Sequence, residues 1–213
     1  MLETALLTFT TFFATIGPLD TAALFPALTP HNTARERRRM AWRGSLIGAG
    51  ILVFFALTGQ GVLATFGIGM PALRTAGGVL LLLIAIDLVF ARPSGGTTTT
   101  EEERAEATAS HDVSVFPLAT PLIAGPGAIG AAILLAAEAQ GDPAKLAVVV
   151  GAMLSVVALT YALLLAATPI QRVLGVTGLH VVSRIAGLLL AALAVQFVFD
   201  GIAASGLLGP TRQ

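Results

Sequence analysis

The chain has 213 residues, of which 55% are hydrophobic and 11% charged, and its mean hydropathy is +0.87. A soluble domain carries about a quarter charged residues, so this composition excludes one and implies helices embedded in a bilayer. Twelve basic residues balance twelve acidic ones and there is no cysteine, which excludes a basic nucleic-acid-binding field as well as disulfides, thiol catalysis and thiolate metal sites.

Six apolar stretches follow, at 4–30, 43–66, 71–91, 114–138, 145–170 and 178–205. Each has roughly the 20 residues a helix needs to cross the hydrocarbon. The first is read as a span, because Glu3 stands where a cleavable signal has its basic region and the apolar run is too long. Gly17-Pro18 interrupts it at its midpoint, and Pro26 weakens it further. Proline removes a donor and clashes with the carbonyl four residues back, here that of Ala14. In hydrocarbon such freed groups cost several kcal/mol each unless protein, water or ligand satisfies them.

Arg35, Arg37, Arg38, Arg39 and Arg43 crowd the first connection, with Trp42 as an interfacial anchor. In the second stretch Gly44 and Gly48 are four apart, a signal for close helix packing or dimerisation. The third opens on Arg74-Thr-Ala76-Gly77 and carries Asp87 about one turn from its end, near Arg92. Residues 93–112, with four consecutive threonines and three consecutive glutamates, are too polar to pack and read as a flexible cytoplasmic linker. The linker divides one transmembrane domain, 1–213, into halves 1–92 and 113–213.

The fourth stretch is interrupted at Gly125-Pro126, near its midpoint, and also holds Pro117 and Pro121. The fifth places Tyr161 in mid-span, where its hydroxyl needs a partner on another helix. The sixth opens on Arg184-Ile-Ala186-Gly187 and has Asp200 near its outer end. His31 and His180 have no metal-ligand spacing, and no nucleophile pairs with a base. No metal, cofactor or enzymatic chemistry is expected.

Arg92, Arg104 and Arg172 fall in the third and fifth connections, whereas Lys145 and Arg212 lie opposite. The bias of basic residues places the odd connections in the cytoplasm and both termini outside. The halves resemble each other. Gly17 precedes Arg74 by 57 residues, Gly125 precedes Arg184 by 59, and both later runs end in Val-Phe. Three crossings per half make the second copy inverted. The expected fold is therefore all-α, with six transmembrane helices in two inverted three-helix repeats and broken first and fourth helices.

Matching breaks in the two halves are the best sequence pointer to a transporter's substrate site. Each break presents free N–H groups on one side and free carbonyls on the other. The N–H groups of Leu19, Asp20 and Thr21, and those of Gly127, Ala128 and Ile129, suit a carboxylate. The carbonyls of Ala14, Thr15, Ile123 and Ala124 suit an ammonium. Glycine at 17, 125, 127 and 130 brings backbone close to ligand and leaves space only for a small one. The candidate substrate site thus comprises Ala14, Thr15, Gly17, Pro18, Leu19, Asp20, Thr21, Ile123, Ala124, Gly125, Pro126, Gly127 and Ala128, and a small neutral zwitterion fits it. Ionisable residues within spans are functional by default. Asp20 and Asp87 are candidates for coupling to H+ or Na+, against helix capping for Asp20 and a surface pair for Asp87. Arg74 and Arg184 are gate candidates, against snorkelling to headgroups.

Four blocks carry a family resemblance: Gly-Pro-Leu-Asp-Thr-Ala-Ala-Leu-Phe at 17–25, Gly-Ile-Gly-Met-Pro-Ala-Leu-Arg-Thr-Ala-Gly-Gly at 67–78, Pro-Leu-Ala-Thr-Pro-Leu-Ile-Ala-Gly-Pro-Gly-Ala-Ile at 117–129, and Arg-Ile-Ala-Gly at 184–187. On these the chain resembles the MarC family of six-helix membrane proteins, also called the neutral amino acid transporter family. The resemblance implies a plasma-membrane protein, some of whose relatives move small neutral amino acids, and does not imply drug efflux. The family pattern has Asp or Asn just before the first proline and Gly or Thr two residues after it. Here Gly17 and Asp20 take those places. The expectation is a secondary transporter of glycine, alanine, serine or similar solutes in the lipid bilayer of the plasma membrane, with a homo-oligomer left open. A non-transporting scaffold or regulatory subunit is the alternative.

Overall fold

The computed structural model describes residues 1–29, 32–90, 112–139 and 141–206, with the side chains of Ala27, Gln60, 168–180, Val182 and Ser183 excepted. α1 (Leu2–Ile16) runs without a breaker as far as Gly17, and α2 (Pro18–Leu28) starts on the proline. α3 (Ala34–Thr65) begins at a capping box: the Glu36 N–H donates to the Thr33 hydroxyl at 3.3 Å, and the Thr33 N–H donates to Glu36 Oε2 at 2.7 Å. α4 is Met70–Phe90. α5 (Ser114–Ile123) is a wide, irregular coil that leaves helical geometry at Phe116 and Thr120, each followed by a cis proline, Pro117 and Pro121. α6 is Pro126–Glu138. α7 (Pro143–Leu165) starts at an Asp142 cap that accepts from the N–H groups of Ala144 and Lys145 at 2.9 and 3.3 Å. α8 is Ala167–Ala204.

Five segments among the described residues are long and apolar enough to cross a membrane: Leu2–Pro26, Ala34–Gly59, Met70–Phe90, Pro143–Leu165 and Arg184–Ala204. α5 and α6 supply a sixth, bent by 55°. The protein is an all-helical, multi-pass membrane protein.

Two expected connections are helical instead. The arginines at 35–43 occupy the first turns of α3, because the Thr33 cap starts the helix before the apolar run begins. Between α7 and α8 only Ala166 leaves the helix (φ −95°, ψ 10°), so the expected loop around Arg172 lies within α8. Its Pro169 sits in the first turn, where a missing N–H is tolerated. The 38 residues of α8 reach about 57 Å at ~1.5 Å each, well beyond the hydrocarbon. Tyr161 is consequently near the end of α7 and not in mid-span. It meets Trp42 edge-on at 5.6 Å and 70°, in place of the expected interhelical hydrogen bond. The expected linker at 93–112 lies outside the described residues except for Asp112.

Lipid gives helices no hydrophobic reason to associate, so close packing at small residues carries the assembly. On α3, Gly44 lies against Leu118 and the Ser114 carbonyl, Gly48 against Ile123, and Gly59 against Ile133. This glycine row therefore seats α5 and α6. α4 and α8 form the most extensive pair among the described residues and run antiparallel. Gly78 packs on Ala194 and Val198, Gly187 on Ala85 and Leu88, and Gly201 on Pro71 and Thr75. Leu83, Phe90, Leu188 and Phe199 remain exposed on this pair as a lipid face. Phe12, Phe25, Leu52, Leu81, Ile123, Leu134, Met153 and Leu190 fill the interior.

Candidate functional site: two buried helix breaks

The first break is a single left-handed residue. Gly17 has φ 58° and ψ 61°, a conformation that costs a residue with a Cβ and costs glycine little. The surrounding backbone is largely repaired. The Gly17 N–H donates to the Phe13 carbonyl at 3.1 Å, and the Thr21 N–H donates to the Gly17 carbonyl at 2.9 Å. The Thr21 hydroxyl donates to the Ile16 carbonyl at 3.1 Å. Thr15 donates back to the Thr11 carbonyl at 2.9 Å. Asp20, in the first turn of α2, folds back so that Oδ2 lies 3.3 Å from where a Cβ on Gly17 would stand. α1 and α2 still continue as one span.

The second break is longer and sharper. Ala124 donates to the Ala119 carbonyl at 2.8 Å, Gly125 is extended (φ −79°, ψ 168°), and the Ile129 N–H donates to the Gly125 carbonyl at 2.9 Å. The sequence predicts matched breaks, but the two differ in backbone form. Proline at 117 and 121 denies α5 a regular helix, whereas α1 has no proline ahead of its glycine.

Both breaks face the interior. Ala14, Thr15, Ile16, Pro18 and Thr21 are buried on one side, and Ile123, Ala124, Gly125, Gly127 and Ala128 on the other. Gly17, Leu19 and Asp20 are half-buried, and Pro126 is exposed on the outer side of its helix. The breaks adjoin across Gly127, where a Cβ would stand 3.9 Å from Thr15 Cγ2. That position is filled by the δ-methyl of Ile84 from α4, so side chain occupies the place sequence reasoning reserved for a ligand. A Cβ on Gly130 would meet open space.

The expected gate residues part company. Arg74 pairs with Glu138 at 3.1 Å, and each side chain is about three-quarters buried (23% and 24% exposed). Arg184 is exposed and makes no ion pair among the described residues. Asp87 is half-buried, and its expected neighbour Arg92 lies outside the described residues. Asp200 accepts from Gln196 Nε2 at 2.8 Å. Sequence reasoning missed Glu138 as a partner, because it closes an apolar run and reads there as a boundary.

The opposite end of the bundle carries the arginines. Arg43 pairs with Asp112 at 2.7 Å. The Ser114 hydroxyl beside Asp112 holds its carboxyl below the usual range against partial burial, with the Ser114 N–H, Arg43 and Arg39 adding to the effect. Arg37 donates through Nε and Nη2 to the Thr29 carbonyl at 3.1 and 2.6 Å, closing the end of α2.

Comparison with known proteins agrees with this architecture. The family described as MarC family integral membrane protein matches residues 2–205. A UPF0056 membrane protein of Archaeoglobus fulgidus is 39% identical over 199 residues, covering 92% of this chain and 90% of the relative. UPF0056 membrane protein YvbG of Bacillus subtilis is 34% identical, covering 91% and 92%, and YhcE of Escherichia coli is 32% identical, covering 89% and 87%. No solved structure matches. With a family match over nearly its whole length and relatives of such coverage, the chain belongs to the MarC family of integral membrane proteins.

Proposed function

We propose that this protein is a secondary transporter of small neutral amino acids or similar small zwitterions, set in the plasma membrane with both termini outside. One observation carries the reading: two helix breaks, far apart in sequence, are buried side by side where Thr15 meets Gly127. Paired breaks bring opposite backbone poles to one place inside the bilayer, which suits a solute bearing both charges. On this reading two inverted repeats rock about the breaks, and Ile84 withdraws from Gly127 to admit substrate. Asp20 is the first candidate for H+ or Na+ coupling and Asp87 the second. The test is flux of labelled glycine, alanine and serine into proteoliposomes. The expected result is saturable, protein-dependent uptake that Gly127→Leu abolishes.

A second reading has its own observation. The Asp20 carboxylate lies over Gly17 and Ile84 fills the space at Gly127, as expected of kinks that serve packing alone. Folded protein giving no flux of any of the three solutes, with or without an ion gradient, would establish that reading of a non-transporting scaffold or regulatory subunit.

A further inference from the structure

At the arginine-rich end, elements α2, α3, α7 and α8 enclose a cavity of about 160 Å³, whose walls include Phe25, Pro26, Arg37, Arg38, Leu164 and Leu165. Among the described residues no carboxylate lines it. Of the described acids at this end, Glu36 is committed to the α3 capping box and Asp112 to Arg43. Arg37 is held in place by its two hydrogen bonds to the Thr29 carbonyl. Arg38 is exposed and makes no ion pair among the described residues. A guanidinium already fixed in position loses little freedom on meeting an anion.

Depth completes the argument. Trp42, 55% exposed and edge-on to Tyr161, marks the level where aromatic side chains sit among lipid headgroups. Leu165 is 47% exposed at the cavity wall. The cavity thus offers two cations at headgroup depth and an apolar wall beside them. A small soluble anion has no use for that wall, whereas an amphiphile with a phosphate head and acyl chains uses both. We infer that this cavity binds the phosphate group of an anionic phospholipid, with an acyl chain against Leu165. Basic pockets between membrane helices take lipids in this way, and the site stands whether or not the protein transports.

The test is native mass spectrometry of the delipidated full-length chain in detergent, titrated with phosphatidylglycerol, phosphatidylcholine or inorganic phosphate. The wild type is expected to retain one phosphatidylglycerol in preference to phosphatidylcholine. Charge-assisted hydrogen bonds are strong enough that Arg38→Gln should weaken retention about ten-fold or more. Arg35→Gln, exposed and outside the cavity, should change it by less than about two-fold. Arg37→Gln also removes the partner of the α2 carbonyl, so Arg38→Gln decides the matter. Equal retention of the two lipids overturns the site, and so does an equal loss in Arg35→Gln, which would mean a diffuse surface field. Inorganic phosphate binding as tightly as the lipid would identify a soluble anion and overturn the lipid assignment.

Discussion

Asp20 concentrates the question of function into one side chain. A carboxylate at the membrane centre costs about 2.5–3.5 kcal/mol on insertion scales. The start of α2 returns about 0.3–1 kcal/mol to an exposed acid and up to ~2 kcal/mol to one partly buried. Capping alone falls short of the cost, even with the carboxylate folded over Gly17. Asp20→Asn keeps an acceptor at the same place and removes the charge. The variant should remain folded and lose the dependence of uptake on a pH or sodium gradient, and unchanged coupling would leave Asp20 as a cap. The glycines sort by what stands against them. At Gly127 the obstacle is the movable tip of Ile84, so Gly127→Ala should keep the wild-type unfolding temperature. At Gly48 a Cβ would stand 2.6 and 3.0 Å from Cγ2 and Cβ of Ile123, itself fully buried. Overpacking there should cost about 1–3 kcal/mol, seen as a lower thermal midpoint for Gly48→Val. A midpoint unchanged in Gly48→Val would mean that α5 is not seated on α3 as described.

Among the elements, α6 begins at a break and ends at an ion pair with α4. Removing one partner of a buried pair costs about 3–5 kcal/mol, and partial exposure of Arg74 and Glu138 lowers that figure through solvent screening. Glu138→Gln should therefore lower the thermal midpoint and speed amide exchange at Ala128 and Ile129. Arg74→Gln with Glu138→Gln should be more stable than Glu138→Gln alone, because no charge is left without its partner. If the double variant is the less stable, the pair is not what ties α6 to α4. The break points themselves were legible, since Gly-Pro in an apolar run has one reading in hydrocarbon. Their different shapes were not, because the bend at Gly125 depends on how Pro117 and Pro121 deform α5 against α3. The start of α3 was written in Thr33-x-x-Glu36, but the arginines that follow read more strongly as a loop.

For the molecule as a whole, the spans and their number follow from apolar length alone, whereas the meeting of Thr15, Gly127 and Ile84 needs three helices packed together and has no local signal. Orientation lies between these cases, and the helix ends sharpen it. Arg35, Arg37, Arg38, Arg39 and Arg43 stand in the first turns of α3, at the end where α2 and α7 finish and α8 begins. Arg74, Glu138 and Lys145 stand at the other end, where α1 starts and α8 finishes. Basic residues near span ends face the cytoplasm and acidic residues count little, which supports the proposed placement of the α3 end inside and both termini outside. With no native cysteine, one introduced thiol reports its own side without background. Ala34 and Ser205 are exposed at opposite ends. In intact cells a membrane-impermeant maleimide should label Ser205→Cys and leave Ala34→Cys untouched until the membrane is opened. The reverse pattern would invert the protein, put the lipid site in the outer leaflet and make the Arg74–Glu138 pair a cytoplasmic one.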